Sequence, residues 1–513
     1  MIQARWLIIF FAVLGMSIPS FAVDWSLGGF PSYMRTRTRV IDNATTSDER
    51  INVTDTTLRI TPQLGLSDAV TVRAQVDVAS NMIWGGVTSG FFGDNDSVVL
   101  SDLRPADRFR GALLTGGKTF DDDFGYFNVR MLHADIVLPN NLGFVRIGRQ
   151  PFDWGLGILA NGGHDPHSDL GFVVDRAPWL KSFPAGAGTF TLVLVSDVFT
   201  QGTSLFASSE GTGYDILAAA GIYNQQMGDV NVTVGAYGFP YLHQDDIFSP
   251  ALGYSWDVDR TSLYAGLLVL KGSNWSFTYE VQMFGGGEIE LGDVSALLEQ
   301  DPGTTDLTGS AWDFEYAFDM AARLEVYPST MAQVSTIGVE AGWAQGDDGA
   351  TPDIEGNALP FSPAYNVDNL LFKHVIPTIY QIEASVINAI YARAYANVNL
   401  TENLSLTPQV LFAWNDETNA VSAFDSGLFG TGIGNPVGGP AFEADKYLGT
   451  EVEGTLSWTL HPGVNLDFIG SLVFAGDGLT DLLEHKAGDG STADDTIWAF
   501  QSRLMVYIDQ FMN

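Results

Sequence analysis

Eighteen of the 24 basic residues in this 513-residue chain are arginine. A guanidinium presents five donors in a planar fork and grips carboxylate, sulfate or phosphate at two points, which a lysine ammonium does not. The spacing is as informative as the type. Arg35, Arg37 and Arg39 alternate with Met34, Thr36, Thr38 and Val40, and Arg59, Arg73, Arg130, Arg146, Arg323, Arg393 and Arg503 each stand at a polar position of an alternating stretch. Asp77, Glu315, Asp319, Glu325, Glu451 and Glu453 occupy equivalent positions. Two kinds of chemistry suit this set. A basic wall facing an acidic wall would orient and select polar or anionic solutes. Alternatively, the same charges pair with one another and hold a structure rigid.

A second group lies in the glycine- and aromatic-rich stretch 151–188. Asp153, Trp154, His164, Asp165, His167 and Asp169 include metal-ligand types, but their spacing matches no established motif and Pro166 favours a turn. The expectation is a constriction loop and no metal; DDD at 121–123 and GDG at 488–490 are weaker cation candidates still. Catalysis is not expected. His133 and His243 lie near acids and Ser168 follows His167, but no GxSxG elbow accompanies them. No cofactor is implied.

The elements that must position these residues are strands. In FEYAFDMAARLEVY (314–327), Glu315, Asp319, Arg323 and Glu325 share one parity, and Phe314, Tyr316, Phe318, Met320, Ala322, Leu324 and Val326 the other. A strand sends alternate side chains to opposite faces, so one face is apolar and the other polar. TLRITPQLGL, VTVRAQVDV, IYARAYANVNL, LGTEVEGTLSWTL and IWAFQSRLMVYI repeat the pattern. Segments of this length, apolar on one side, suit a strand between lipid and a wet interior.

The pattern predicts strands over roughly 28–42, 54–66, 69–80, 124–139, 142–150, 189–199, 213–224, 230–240, 260–271, 274–285, 312–328, 330–343, 374–384, 386–400, 403–414, 446–461, 463–475 and 496–511. A change of phase near Leu132 marks a bulge or an early exit from the barrel. Short turns at Ser67-Asp68, Asn140-Asn141, Pro328-Ser329, Thr401-Asn403 and His461-Pro462 alternate with long loops near 81–123, 151–188, 286–311, 344–373, 415–445 and 476–495. The reading is an all-β chain forming a transmembrane antiparallel barrel of 18 strands, with 16 as the alternative count. Its short turns would be periplasmic and its long acidic loops extracellular. Trp154, Trp179, Trp256, Trp275, Trp312, Trp343, Trp414, Trp458 and Trp498 fall near strand ends, where interface girdles belong.

Residues 1–22 read as a signal peptide: Arg5, an apolar run from Leu7 to Leu14, and Ser20-Phe21-Ala22 before the cut. Residues 23–513 would form the barrel domain. A net charge of -37 argues against nucleic acid as a partner. The absence of Cys is no handicap, because a closed ladder of hydrogen bonds holds a barrel together.

LGFVRIGRQPFDWGLG (142–157), with GRQ after an alternating strand and before an aromatic, glycine-rich stretch, resembles the alginate-export type of outer-membrane barrel. LGTEVEGTLSWTLHPGVNLDFIGSLVF (448–474) is a second similarity, and FSPAYNVDNLLF (361–372) resembles a group of uncharacterised barrels from myxobacteria and relatives. The resemblance implies 18 strands and passage of an acidic polysaccharide. The C-terminus departs from the usual pattern, since Met512 and Asn513 follow Phe511. Together these readings predict a porin-like channel in the outer membrane of a Gram-negative bacterium. It would be embedded in outer-membrane lipid and pass small polar or anionic solutes, acidic saccharides among them. The alternatives are a polysaccharide-export barrel with periplasmic partners and a plugged barrel serving as scaffold, adhesin or hydrolase. Subunit number is not legible.

Overall fold

The structure is a computed structural model. It describes residues 24–27, 30–42, 50–84, 128–168, 171–198, 215–249, 254–286, 288–291, 311–313, 316–331, 333–346, 360–380, 386–418, 443–487 and 492–512. The signal-peptide reading, the DDD and GDG candidates, Glu315 and Asp169 lie outside these residues.

Eighteen antiparallel strands close into one barrel. β1 runs over Asp24–Leu27 and Tyr33–Asp42, and β2 over Arg50–Ile60 and Pro62–Ser67. Then follow β3 (Val70–Ile83), β4 (Asn128–Leu138), β5 (Gly143–Pro151), β6 (Val173–Ala185), β7 (Gly188–Val198) and β8 (Asp215–Met227). β9 (Val230–Ser249) and β10 (Tyr254–Lys271) are the longest. β11 covers Trp275–Gly285 and Glu288–Leu291; β12 covers Ala311–Asp313 and Ala317–Val326. The ring is completed by β13 (Val334–Ala344), β14 (Ala389–Thr401), β15 (Leu404–Asn415), β16 (Tyr447–His461), β17 (Val464–Ala475) and β18 (Thr496–Tyr507). Each strand pairs with the next, and β18 pairs with β1 from Tyr33↔Tyr507 to Asp42↔Trp498. Closure satisfies the backbone groups of both would-be edges, which a membrane span requires.

The alternation read in the sequence sets the two faces. On β12, Asp319 is fully buried inward while Phe318, Leu324 and Val326 stand exposed outward. Val339, Ile390, Phe412, Val452 and Phe500 continue the outward apolar belt. One end of the barrel carries tight connections. Gly186 and Gly228 sit at φ near +59 in two-residue turns, a conformation that costs glycine little. Trp179, Trp275 and Trp458 fall toward that end, and Trp343, Trp414 and Trp498 toward the other.

Three features differ from the sequence reading. β6 lies within the stretch 151–188 that the pattern assigns to a loop: Pro178, Pro184, Arg176 and Lys181 interrupt its alternation, yet it pairs with both β5 and β7. In place of the strand expected over 374–384, the chain is helical over Leu371–Val375 and then α1, Ile376–Tyr380; residues 381–384 lie outside the described residues. The total of 18 survives because one strand replaces the other. Trp154 belongs to no girdle; it is buried inside the barrel, 5.7 Å from the ring of Tyr237. The bulge foreseen near Leu132 sits just before it, as a register shift between Val129 and Met131.

Candidate functional site

The interior is where the charged parity of each strand converges. Cross-strand register decides which charges meet. Arg37 and Asp55 are direct partners on β1 and β2, and Arg37 Nε donates to both carboxylate oxygens at 2.9 and 3.1 Å. Arg39 donates to the same aspartate at 2.9 Å. Asp135 on β4 takes Arg73 from β3 at 3.0 Å and Arg146 from β5 at 2.6 and 3.1 Å. Glu340 on β13 takes Arg323 from β12 and, at 2.8 Å, Arg393 from β14. In these three places one carboxylate serves two guanidiniums. Arg59–Asp77, Arg503–Asp467 and Arg176–Asp197 are one-to-one pairs.

Access divides these arginines. Arg35, Arg37, Arg59, Arg130 and Arg503 are buried. Arg73, Arg146 and Arg323 keep 27–30% of their side chains open, and Arg39 keeps 18%. The cause is a segment that folds inward from the end of β5. Residues 152–168 cross the lumen: the amides of Leu156, Gly157, Ile158 and Leu159 all donate to the Glu280 carboxylate on β11. The segment then returns to the opposite wall. There Arg35 donates to the carbonyls of Pro166 and Ser168, Arg59 to Gly163 and Arg130 to Gly162. Buried guanidiniums thus satisfy carbonyls of an irregular backbone that has no strand partner there.

Of the candidates in this segment, Asp153 and His164 are hydrogen-bonded at 2.8 Å, and Phe30 stacks on the His164 ring at 4.0 Å. Hydrogen bonds from His164 and the Gly162 amide outweigh the burial of Asp153 and hold its pKa below the usual carboxylate range. Asp165 accepts the His167 amide at 2.8 Å. Burial, with Arg503 and Arg35 nearby, pushes His167 down to about 4. Among the described residues, no group of three or more acidic or histidine side chains converges as a metal site.

A second inward segment, 360–380, lines the walls β13 to β16. Tyr365 and Tyr391 donate to Glu340 at 2.5 and 2.9 Å; Arg393 and Gln409 donate to the Val367 carbonyl at 2.8 and 2.6 Å. Glu451 accepts the Leu371 amide at 2.8 Å. Phe361, Leu370, Leu371, Phe372, Ile376 and Ile379 form an apolar core inside the barrel. Leu479, Leu482 and Leu483 of α2 (Asp477–Ala487) join that core. The two inward segments touch where the Ser362 amide donates to the Ile158 carbonyl at 2.7 Å.

The acidic positions therefore do not make a wall opposite the arginines. Asp77 neutralises Arg59 locally, and Asp319 is sealed between Gln282 at 2.7 Å and the Gln345 amide at 3.2 Å. Glu325 takes the hydroxyls of Tyr395 and Tyr327 at 2.6 and 2.9 Å. Glu451 and Glu453, on β16, stand only three strands from β1. The sequence reading missed Asp55, Asp135, Glu280, Glu340 and Asp467. All five sit on the polar parity of alternating stretches, and that parity is the signal that would have found them. Within the GRQ motif, Gly148 has φ 123, Arg149 pairs with Asp175 at 2.7 Å outside the lumen, and Gln150 bonds the carbonyls of Gly148 and Arg176.

The geometry defines a closed antiparallel barrel of outer-membrane type, with 18 strands and two inward segments. No family model matches the chain, and no curated protein matches it. Among solved structures, it is similar to OccAB1 of Acinetobacter baumannii at 12% identity, covering 94% of this chain and 96% of that one, with a TM-score of 0.45. It is similar to OccK2 (OpdF) of Pseudomonas aeruginosa, solved in complex with glucuronate, at 10% identity over 93% and 98%, TM-score 0.45. OccK8 (OprE) of the same organism follows at 12% over 93% and 98%, TM-score 0.42.

Proposed function

We propose that the chain is a porin-like channel of a Gram-negative outer membrane that passes small anionic solutes, carboxylate-bearing saccharides among them. The observation that carries this reading is the open triad Arg73–Asp135–Arg146, whose guanidiniums keep 28% and 30% of their side chains exposed, together with Arg323 at 27% on the facing wall. Guanidinium edges left to solvent attract carboxylates. Arg35, Arg37, Arg59, Arg130 and Arg503 play a different part, anchoring segment 152–168 and one another's partners under cover.

The test is the reversal potential of the purified barrel in a planar bilayer under a salt gradient. Anion preference that falls when Arg73, Arg146 and Arg323 become Gln supports the reading. Cation preference, the outcome the acidic loops alone would produce, sinks it. The apolar core on the β13–β16 side favours a second reading, a plugged barrel. Zero conductance in the same bilayer selects that one.

A further inference from the structure

We infer that the turn Asn366–Lys373 is a proton-operated latch, closed on β16 when the carboxyls of Asp368, Glu451 and Glu453 hold protons and loosened when they lose them.

The geometry is a shortage of donors. Asp368 is buried in the turn and takes the Phe372 amide at 2.9 and 3.2 Å. Glu451 is 1% exposed; the Leu371 and Asn369 backbones donate to it, and Oε1 meets no donor. Glu453 is 9% exposed; the Asn369 side chain and, at a long 3.4 Å, Thr455 donate to it, and Oε2 meets none. The cations facing them are Lys373 on the turn and Arg393 on β14. Arg393 is already committed to Glu340 and to the Val367 carbonyl. Buried carboxylate oxygens without donors are costly, and costlier when charged. Neutral carboxyls suit the docked turn, and ionised ones suit a wet site.

Burial, with Glu453 beside it, pushes Asp368 up to about 7 against the bond from the Phe372 amide. An acid whose pKa is raised by docking stabilises the docked state fully below its ordinary value. That stability is lost as pH rises through the docked value. The window therefore runs from about pH 4 to about pH 7, and docking weakens by up to about tenfold per pH unit for each carboxyl that titrates. The movement is local. Val375, Ile376 and Ile379, all buried in the apolar core, hold the following residues in place whatever the protonation.

The chain has no cysteine, so a single introduced thiol reports on one position. Leu370→Cys, fully buried in the turn, is labelled with a membrane-impermeant maleimide between about pH 5 and 7.5. Its rate is divided by that of Asn366→Cys, an exposed position on the same turn, which cancels the thiol's own ionisation. Ile379→Cys serves as the control for general opening. The expected result is a ratio for Leu370→Cys that rises at least about tenfold across this range. The Ile379→Cys ratio stays flat, and adding Glu451→Gln or Glu453→Gln weakens the rise. A flat Leu370→Cys ratio, or a parallel rise at Ile379→Cys, overturns the latch. Labelling needs no ion flow, so the result stands apart from whether the barrel conducts.

Discussion

Asp135 and Glu340 stand nine strands apart in an 18-stranded ring, on opposite walls, and each is shared by two arginines from its flanking strands. At these two places the inner charge is therefore organised locally, with one carboxylate between two guanidiniums. A single basic face opposed by an acidic one is not what the register builds.

Changing the acid of a triad should act in the opposite sense to changing its bases. At about 7 Å in a water-like medium one unit charge is worth about 0.6 kcal/mol to a passing ion, roughly a threefold change in permeability ratio. Asp135→Asn should raise anion preference by about that factor, and Arg73→Gln with Arg146→Gln should lower it. Reversal potentials of the three proteins give the order directly. If Asp135→Asn and the double variant move the same way, the remainder of charge on this wall is not what the solute senses.

The Glu340 triad also bears on stability. Its carboxylate is 0% exposed and takes Arg323, Arg393, Tyr365 and Tyr391. Glu340→Ala would strand two guanidiniums in a poorly hydrated site, a change that costs about 3–5 kcal/mol. Asp42→Ala, which breaks a rim pair with an Arg50 that is 57% exposed, should cost about 0–1 kcal/mol. Guanidinium unfolding in lipid should separate the two midpoints clearly; equal midpoints would show that the interior around Glu340 is wetter than its burial implies.

How much of this was legible turns on what each feature depends on. β12, β14, β16 and β18 declare themselves because each has one lipid-facing and one inward parity. β6 did not, because Pro178 and Pro184 break the pattern where the register alone keeps it in the sheet. HVIPTIYQIEA reads as a strand, but Val375, Ile376 and Ile379 face a core inside the barrel, so their apolar character carries no period, and Pro377 is the warning. The inward course of 152–168 was expected from its length and composition, but its anchor was not. Glu280 lies more than a hundred residues away and meets the segment only because the barrel closes and the segment reaches inward to β11, six strands round from β5. Pairings such as Arg37–Asp55 need the register, which sequence parity restricts to one face and leaves unsettled along the strand.

Glu280 should be the residue that keeps the constriction narrow. Four amides on one buried carboxyl is a local anchor, each bond contributing about 0.5–1.5 kcal/mol. Glu280→Ala should free residues 156–159 from β11 and raise single-channel conductance with added open-state noise. Glu280→Gln, which keeps one acceptor oxygen, should fall between. Unchanged conductance in Glu280→Ala would place the narrowest point elsewhere, on the segment 360–380.

Acid should loosen the segment 152–168, the reverse of its effect on the turn at 366–373. Burial among Arg503 and Arg35 lowers His167 to about 4, so the docked segment holds the neutral imidazole. A base whose pKa is lowered by docking gives stability that is complete above its ordinary value of 6.5. This stability declines as pH falls toward the docked value. Protease cleavage within 152–168 should therefore be slow at neutral pH and accelerate between about pH 6 and 4. His167→Gln, which cannot take up the proton, should remove the acceleration. NMR of ring-labelled histidine checks the cause, since His167 should stay neutral to about pH 5. A His167 that titrates near its ordinary value would mean that the segment leaves the ring open to water, and the acid sensitivity would then belong to another group.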